Sequence, residues 1–331
     1  MAASTKVKSL LVDPDGIKNI KKKYDEIYGP TSDVWLYKKS HGVHTVVMSL
    51  IHEELKGKSF LDAGCGAGRL PIMASYFAKE SHGFDFSEPA IAIAQATAEC
   101  AGKTVNFFVN SIEGFSAASS RTYDVLSLLG TLEHVPDPVT ALKELQKLTA
   151  PGGTLIVSCP NFINPRGYSY MPLLTLFNLP MSLADVRQVD FRQMRQWAKE
   201  AGYELTRSVG AIYRFGWDKK SAEDMIRRIP LAMRDAEMDA SISHDAYNRW
   251  QQTVVETGHD VLEWLYKQGA LKKIVRIADI QPERRAPIDD ALWTKIQHYL
   301  NEDIESDPYY GDTEPFCYMG GECIYVLKKP V

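Results

Sequence analysis

Three glycines in a short loop have the spacing that says most about chemistry in this sequence. Gly64, Gly66 and Gly68 follow a short apolar run at residues 60–61. Glycines after a strand allow a tight turn and let a ligand approach backbone N–H groups that a Cβ atom would block. A dinucleotide fingerprint, Gly-x-Gly-x-x-Gly, would place its third glycine where this sequence has Arg69. The spacing therefore argues against a dinucleotide.

An acidic residue follows this loop at the end of the next predicted strand. Asp85 lies about twenty residues after the loop, where a carboxylate can accept hydrogen bonds from both ribose hydroxyls of a nucleoside. Together, the loop and Asp85 indicate an adenosine-containing ligand that lacks a pyrophosphate.

Three segments carry a resemblance to a known family. They read Leu-Asp-Ala-Gly-Cys-Gly-Ala-Gly at 61–68, Gly-Phe-Asp-Phe-Ser at 83–87 and Leu-Glu-His-Val-Pro-Asp-Pro at 132–138. In this order they resemble class I S-adenosylmethionine-dependent methyltransferases of the small-molecule type, a group that includes the ubiquinone-biosynthesis O-methyltransferases. The resemblance covers about residues 56–215 and the last strand.

The resemblance implies S-adenosyl-L-methionine as the cofactor. The glycine loop would cradle its methionine part, Asp85 would hold the ribose, and Phe86 would lie along the adenine. Asn110 and Ser111 stand where the family commonly offers an Asp to the adenine amino group. The cofactor-binding residues implied in this way are Asp62, Gly64, Cys65, Gly66, Gly68, Asp85, Phe86, Asn110, Ser111, Ile112, Leu129 and Tyr24.

Methyl transfer from a sulfonium needs alignment of the acceptor with the methyl group, and a hydroxyl acceptor also needs a base. Histidine suits this role near neutral pH. His134 follows the predicted fourth strand, with Glu133 beside it, so both are candidate catalytic residues. The alternative is that both residues only cap the next turn and fix the loop.

Two residues are candidates for binding the methyl acceptor. Arg166, after the predicted fifth strand, could bind a carboxylate or phosphate in a bidentate manner. His41 lies three residues before His44 on a predicted helix, so both could face the cleft, but packed or solvent-facing histidines are the preferred interpretation of the pair. No metal site is predicted, because no third ligand accompanies the pair.

The elements that must position these residues are typical of an α/β fold. We expect a Rossmann-like, doubly wound, seven-stranded and mostly parallel sheet with helices on both faces and a helical cap inserted between the last two strands. The predicted strands are 59–62, 82–85, 105–109, 124–129, 154–159, 203–215 and 323–328, with a loop at 160–180 and amphipathic helices within 218–304.

The length of 331 residues exceeds one minimal domain, which is commonly about 100–200 residues. We predict an N-terminal helical lid at 1–55, a cofactor-binding core at 56–217 plus 320–331, and a helical insert at 218–319 that forms a substrate cap.

The amino-acid composition limits the classes of partner that this protein could bind. With 38 Lys and Arg against 42 Asp and Glu, the net charge of −4 offers no field that attracts nucleic acid. The 5 cysteines contain no Cys-x-x-Cys pair, which is typical of reduced thiols in a cytoplasmic protein. No apolar run approaches the ~20 residues of a membrane span, and the N-terminus lacks a signal-peptide core. The expected partner is a small-molecule methyl acceptor; a homodimer is left open.

We therefore expect a methyltransferase acting on a small metabolite, at a hydroxyl oxygen by the family's usual pattern. Transfer to nitrogen, sulfur or carbon is the alternative within this class. A nicotinamide-dependent oxidoreductase and a cofactor-binding subunit without activity are alternatives from other classes. Arg69 in the glycine loop argues against the oxidoreductase, whereas the loop and Asp85 are compatible with both an enzyme and a binding subunit.

Overall fold

A computed structural model describes residues 21–22, 24–25, 28, 42–177, 187–235, 244–275, 290–291, 293–294 and 307–331. The strands are β1 (Ser59–Ala63), β2 (Glu80–Asp85), β3 (Asn106–Val109), β4 (Tyr123–Leu129), β5 (Thr149–Pro160), β6 (Glu204–Ala211), β7 (Lys272–Lys273), β8 (Tyr309–Tyr310) and β9 (Glu322–Lys328). The helices are α1 (Val43–Ile51), α2 (Arg69–Ala74), α3 (Glu88–Cys100), α4 (Ile112–Ala118), α5 (Pro138–Leu148), α6 (Pro165–Phe177), α7 (Phe191–Glu200), α8 (Tyr213–Trp217), α9 (Lys219–Asp235) and α10 (His244–Lys267).

Seven strands form one sheet in the order β3-β2-β1-β4-β5-β9-β6. The pairs among β1 to β5 are parallel, and β9 runs antiparallel between β5 and β6. The predicted seven-stranded, mostly parallel sheet with a final antiparallel pair is confirmed. A separate two-stranded ribbon pairs β7 with β8.

Polar residues begin the helices that connect these strands. The Ser87 side chain accepts from the backbone N–H of Ala90 at the start of α3, and Asp137 accepts from the first turn of α5. Asp190 and Gln193 form a capping box at α7. Such caps satisfy backbone donors that have no partner within the helix, so each chain reversal after a strand is defined locally.

The sheet is covered on both faces, as its parallel strands require. One hydrophobic core lies between the sheet and α1, α2 and α3, and contains Phe60, Val125 and Ile156. The other lies against α4, α5 and α7, and contains Leu61 and Leu126. Consecutive strand residues are buried on opposite faces of the sheet. Because the strands are parallel, their carboxyl ends lie at one common edge, where the loops that follow them can meet a ligand.

Two local predictions were wrong. The expected loop at 160–180 contains α6, whose start is defined by Asn164: its Oδ1 accepts from the N–H of Gly167 at 2.9 Å. The expected strand at 203–215 ends at Ala211, and Ile212 takes a left-handed conformation with φ 46° before α8 begins. An apolar run of this length has no periodicity that separates strand from helix.

Helices α9 and α10 follow β6 and pack against α6 and α8. Tyr170 and Leu173 of α6 share a cluster with Met225, Ile229 and Met233 of α9. Leu262 and Leu265 of α10 pack with Tyr213 and Trp217 of α8. The predicted amphipathic helices are confirmed for this part of the insert. Within the described ranges, none of the helices has the length and apolar content that crossing a lipid bilayer requires.

Candidate active site

The glycine loop joins β1 to α2 and is hydrogen-bonded to the end of β2. The backbone N–H groups of Gly64 and Cys65 both donate to the carbonyl of Phe84, at 2.8 and 3.0 Å. Gly68 has φ 77°, and a Cβ there would lie 2.6 Å from both the Ala94 Cβ and the Phe107 Cζ. A side chain at this position would force α3 and β3 away, so glycine is required on both conformational and steric grounds.

Asp85 closes the loop from the end of β2. Its Oδ2 accepts from the N–H of Gly66 at 3.0 Å, and its Oδ1 accepts from the N–H of Ser87 at 2.9 Å. Burial raises the pKa of the Asp85 carboxyl, the two N–H donors oppose this, and the nearby Asp25 raises it further. Each carboxylate oxygen keeps a second lone pair, which could accept from a ribose hydroxyl.

Asp62 is a second buried carboxylate beneath the same loop. The hydroxyl of Ser127, on the neighbouring strand β4, donates to its Oδ1 at 2.6 Å. Burial raises the pKa of Asp62 to about 7; the bond from Ser127 opposes this shift, and the charge of Asp85 adds to it. The two carboxylates make the loop a site where a positively charged ligand gains stabilisation.

Two further predicted cofactor-binding residues, Cys65 and Leu129, lie in the glycine loop and at the end of β4. Cys65 is buried, and its burial, together with Asp62 and Asp85, holds the pKa of its thiol well above the usual range. The thiol therefore remains neutral and acts as a packing group. Leu129 ends β4, and its carbonyl accepts from the hydroxyl of Thr131 at 3.0 Å.

The segment after β3 lies beside the end of β2. The N–H of Asn110 donates to the carbonyl of Asp85 at 2.9 Å, which holds the two strand ends together. Ser111 caps α4, because its Oγ accepts from the N–H of Gly114 at 3.0 Å, and Ile112 is buried. The Ser111 hydroxyl still has a proton to donate, so this capping role is compatible with a contact to an adenine.

A described part of the N-terminal region lies over the loop. Tyr24 makes edge contacts with Phe86 and with His134, at ring-centroid distances of 5.8 and 6.0 Å. A Cβ at Gly66 would lie 2.5 Å from the hydroxyl of Tyr28. Asp25 accepts from the Ser87 hydroxyl at 2.6 Å. Tyr24 therefore contacts both Phe86, which is predicted to lie along the adenine, and His134, the predicted base.

The loop after β4 presents the two candidate catalytic residues. The Nε2 of His134 lies 3.8 Å from Oε1 of Glu133, and both side chains are largely buried, with 12% and 4% exposed. The N–H of His134 donates to the carbonyl of Thr131 at 3.0 Å, which closes a turn. Both interpretations made from the sequence, a base and a turn, are compatible with this geometry.

Arg187 fixes the loop after β4 by hydrogen bonds to its backbone. Its guanidinium donates to the carbonyls of Leu132, Val135 and Pro136, at 3.2 Å for Leu132 and 2.7 Å for Pro136. Burial lowers the pKa of Arg187, and Asp137, Cys159 and Glu133 oppose this. Three carbonyls bound by one planar group fix the backbone on both sides of His134.

The two candidate acceptor-binding residues have different outcomes. Arg166 is buried at the start of α6, with its guanidinium 4.5 Å from the centre of the Phe215 ring and 3.7 Å from the Asp224 carboxylate. It therefore joins α6 to α8 and α9. His41 lies outside the described residues. In the described ranges, no group of three His, Cys, Asp or Glu side chains is placed to hold a metal ion.

Comparisons with known proteins complete the description of the site. Residues 40–208 match a family model described as a methyltransferase domain. The chain belongs to this methyltransferase family.

A ubiquinone biosynthesis O-methyltransferase from Nitrosospira multiformis is 30% identical over 183 residues, which cover 54% of this chain and 76% of the relative. A protein of the same name from Pseudomonas aeruginosa is 29% identical over 54% of this chain and 78% of its own length. A crystal structure of magnesium protoporphyrin IX methyltransferase from Synechocystis, with bound SAH, is 21% identical over 59% of this chain and 87% of that chain, with a TM-score of 0.42.

The protein is an S-adenosylmethionine-dependent methyltransferase. The residues present fit this cofactor, because the glycine loop leaves backbone exposed and two buried carboxylates, Asp62 and Asp85, suit a ligand with a sulfonium and an ammonium group. The individual contacts to the cofactor remain predictions.

Sequence reasoning missed three residues that shape this site. Asp25 is joined to Asp85 through Ser87, Ser127 holds Asp62, and Arg187 holds the His134 loop. Arg187 had a partial signal, because several arginines follow the fifth predicted strand. Asp25 and Ser127 had none, since their contacts join residues 62 and 65 positions apart in the chain.

Proposed function

We propose that this methyltransferase transfers a methyl group to a hydroxyl oxygen of a small-molecule acceptor, with His134 as the general base. When bound, the cofactor supplies an electrophilic methyl group on a sulfonium. The relatives named as ubiquinone biosynthesis O-methyltransferases support a hydroxyl as the accepting group.

His134 would take the proton of the acceptor hydroxyl as its oxygen bonds to the methyl carbon. The cofactor sulfur would keep the electron pair of its bond to the methyl carbon, so the transfer would need no further acceptor of electrons. Glu133 lies 3.8 Å from the imidazole and would stabilise the imidazolium that forms. Both side chains are largely buried, which reduces screening of this charge pair by water.

The contact of Tyr24 with both Phe86 and His134 is the observation that carries this proposal. Phe86 follows the carboxylate assigned to the ribose, so an aromatic ring joins the cofactor side to the imidazole. A histidine in that place would be near the reacting methyl group of a bound cofactor, whereas a histidine that only closed a turn would need no such neighbour.

The remaining parts of the chain have proposed roles in acceptor access. Residues 1–55 would form a lid, residues 56–217 with 320–331 the cofactor-binding core, and residues 218–319 a cap over the acceptor. The packing of α9 and α10 on α6, which follows β5 at the carboxyl edge of the sheet, supports a cap at this place.

The test is transfer of tritium-labelled methyl groups to phenols and catechols, with amines and thiols of similar size as competitors. Methylated phenols should accumulate, and replacement of His134 by Ala should slow their formation. Exclusive methylation of amines or thiols would contradict the choice of oxygen. Binding of the cofactor without transfer to any member of this set would contradict an active enzyme.

A further inference from the structure

A group of largely buried polar side chains lies on the packed helices α6, α9 and α10, outside the site described above. It consists of Arg166 on α6, Ser221 and Asp224 on α9, and Gln251 on α10, and it is called the cap cluster below. Gln251 and Ser221 are both 0% exposed, and Arg166 is 8% exposed. A polar side chain that is completely removed from water normally has a hydrogen-bond partner.

Gln251 and Ser221 depart from that rule. Among the residues that the structure describes, no hydrogen-bond partner is found for the Nε2 or the Oε1 of Gln251, or for the Oγ of Ser221. Burying an amide without partners is unfavourable, and an apolar residue of similar size would fill the same place without that cost. The two residues are therefore suited to a polar group that enters the cluster.

Helix spacing directs Gln251 towards α6. One turn earlier on the same stripe, the hydroxyl of Tyr247 lies 3.4 Å from the carbonyl of Ser169 in α6. Two turns later, a Cβ at Gly258 would meet the Cγ of Pro165, the first residue of α6. Residues four and seven positions apart lie on one helix face, so Gln251 faces α6 between Ser169 and Pro165.

Three arginines lie close to the carboxylate of Asp224 in this group. Asp224 is 2.9 Å from the guanidinium of Arg227, 2.8 Å from that of Arg228, and 3.7 Å from that of Arg166. Burial raises the pKa of Asp224, but the three arginines outweigh this effect and the pKa is lowered. Arg166 is the most buried of these three arginines and also the farthest from the Asp224 carboxylate.

We propose that the cap cluster is a binding subsite for a carboxylate of the methyl acceptor, held by Arg166 with the Gln251 amide and the Ser221 hydroxyl as further donors. Such an anion would pair with the Arg166 guanidinium and give the two buried polar side chains their partners. This inference rests on the proposed function, because it assigns the chemical class of the acceptor of that reaction.

The position of the cluster suits a substrate that extends from the reacting centre. The chain leaves β5 at Pro160 and reaches Arg166 at the start of α6, while the loop with Glu133 and His134 follows β4. Neighbouring strands lie about 5 Å apart, so the two loops begin side by side at the carboxyl edge of the sheet. An acceptor with its hydroxyl at one end and a carboxylate at the other could reach both sites.

The test measures binding by calorimetry, with the full chain saturated with S-adenosylhomocysteine. The probes are para-hydroxybenzoate, para-hydroxyphenylacetate and para-coumarate, each compared with the same phenol without its carboxyl group. At least one acid should bind about tenfold tighter than its counterpart, as expected for one charge-assisted hydrogen bond. If no acid binds more tightly than its counterpart, the proposal is overturned.

Two variants assign the preference to the cluster. Gln251→Leu and Arg166→Gln should each remove most of the preference for the acid and leave binding of the uncharged phenol unchanged. Gln252→Leu, at the exposed neighbouring position, is the matched control and should keep the preference. Gln251→Leu should not lower Tm, because it removes an unpartnered buried amide. An acid preference that survives in both cluster variants would overturn the assignment.

Because this experiment measures binding and not transfer, its result is separate from that of the proposed function. Methylation of amines in place of hydroxyls would overturn the oxygen assignment and leave the acid preference intact. Methylation of phenols without an acid preference would support the proposed function and overturn the subsite.

Discussion

Buried polar side chains occur both at the glycine loop and between helices α6, α9 and α10, and the two regions differ in their hydrogen bonding. At the loop, Asp62 accepts from Ser127, and Asp85 accepts from two backbone N–H groups. Between the helices, Gln251 and Ser221 have no partner among the residues described. The first region is held by its own bonds, whereas the second has donors still to be satisfied.

The same division follows the bounds of the family match. The family model covers residues 40–208, which include the loop, and ends before α9 and α10 begin. A common cofactor needs a site with the same hydrogen bonds in every member, while different acceptors need different surroundings. We therefore infer that the sheet edge binds the cofactor and the inserted helices select the acceptor.

Asp85→Ala should have the largest effect on the predicted cofactor site. Loss of two hydrogen bonds to a buried carboxylate should raise the Kd for S-adenosylmethionine about 200-fold or more. Calorimetry measures this Kd, and Glu99→Ala on the exposed face of α3 serves as the control. An affinity within a few-fold of the unchanged enzyme would contradict the ribose assignment.

His134→Ala separates chemistry from binding within the sheet edge. Loss of a positioned base should lower kcat about 100-fold on a hydroxyl acceptor, with the Kd for the cofactor unchanged within a few-fold. Rapid-quench assays measure the transfer step, and His259→Ala, at an exposed position of α10, is the control. A kcat that does not change would leave His134 with the role of closing the turn.

Arg187→Ala should have a smaller effect, because Arg187 acts through the backbone on either side of His134. We expect kcat to fall about tenfold, as for loss of alignment without loss of the base. Arg187→Lys should restore only part of the rate, since an ammonium cannot bind three carbonyls as a planar fork does. The Kd for the cofactor should stay unchanged, and Arg192→Ala, whose side chain is 79% exposed, is the control.

The smallest effect concerns the stability of the two regions as pH changes. Burial raises the pKa of Asp62 under the loop to about 7, and that of Asp307, near the base of the insert, also to about 7. Both values exceed the unfolded one, so the native state binds more protons between pH ~4 and ~7 and the free energy of unfolding falls as pH rises through this interval.

Asp62→Asn and Asp307→Asn should each flatten this slope by about 1 kcal/mol per pH unit, below the ceiling of ~1.4 kcal/mol per pH unit for one group. Urea unfolding at several pH values measures the slope. Added S-adenosylmethionine should reduce the part due to Asp62, because a positive ligand favours the charged carboxylate, and leave the part due to Asp307. Equal reduction of both parts would contradict the location of the cofactor.

The parallel strands and the cofactor loop were predictable because their signals are local. Short apolar runs alternate with capped helices between residues 59 and 159, and the glycines lie within one turn. The start of α6 was missed, although Asn164 before Pro165 is a capping signal, because a segment with several prolines favours a loop over a helix.

The end of β6 and the cap cluster could not be predicted, since they depend on distant contacts. Helix α8 is held by the N–H of Arg214 donating to Asp307 at 2.7 Å and by the Trp217 indole donating to the carbonyl of Met319 at 2.5 Å. Gln251 lies on a helix whose sequence pattern gives no reason to bury an amide; only the packing against α6 does so.

The most direct test of this division is hydrogen exchange on the full chain, first with S-adenosylhomocysteine and then with an added hydroxylated acid. The first ligand should protect residues 59–69, 83–88 and 110–112. The acid should then add protection in 165–177, 219–235 and 244–267, with little further change at the loop. Protection by the acid confined to the sheet edge, with none in α6, α9 or α10, would contradict the account.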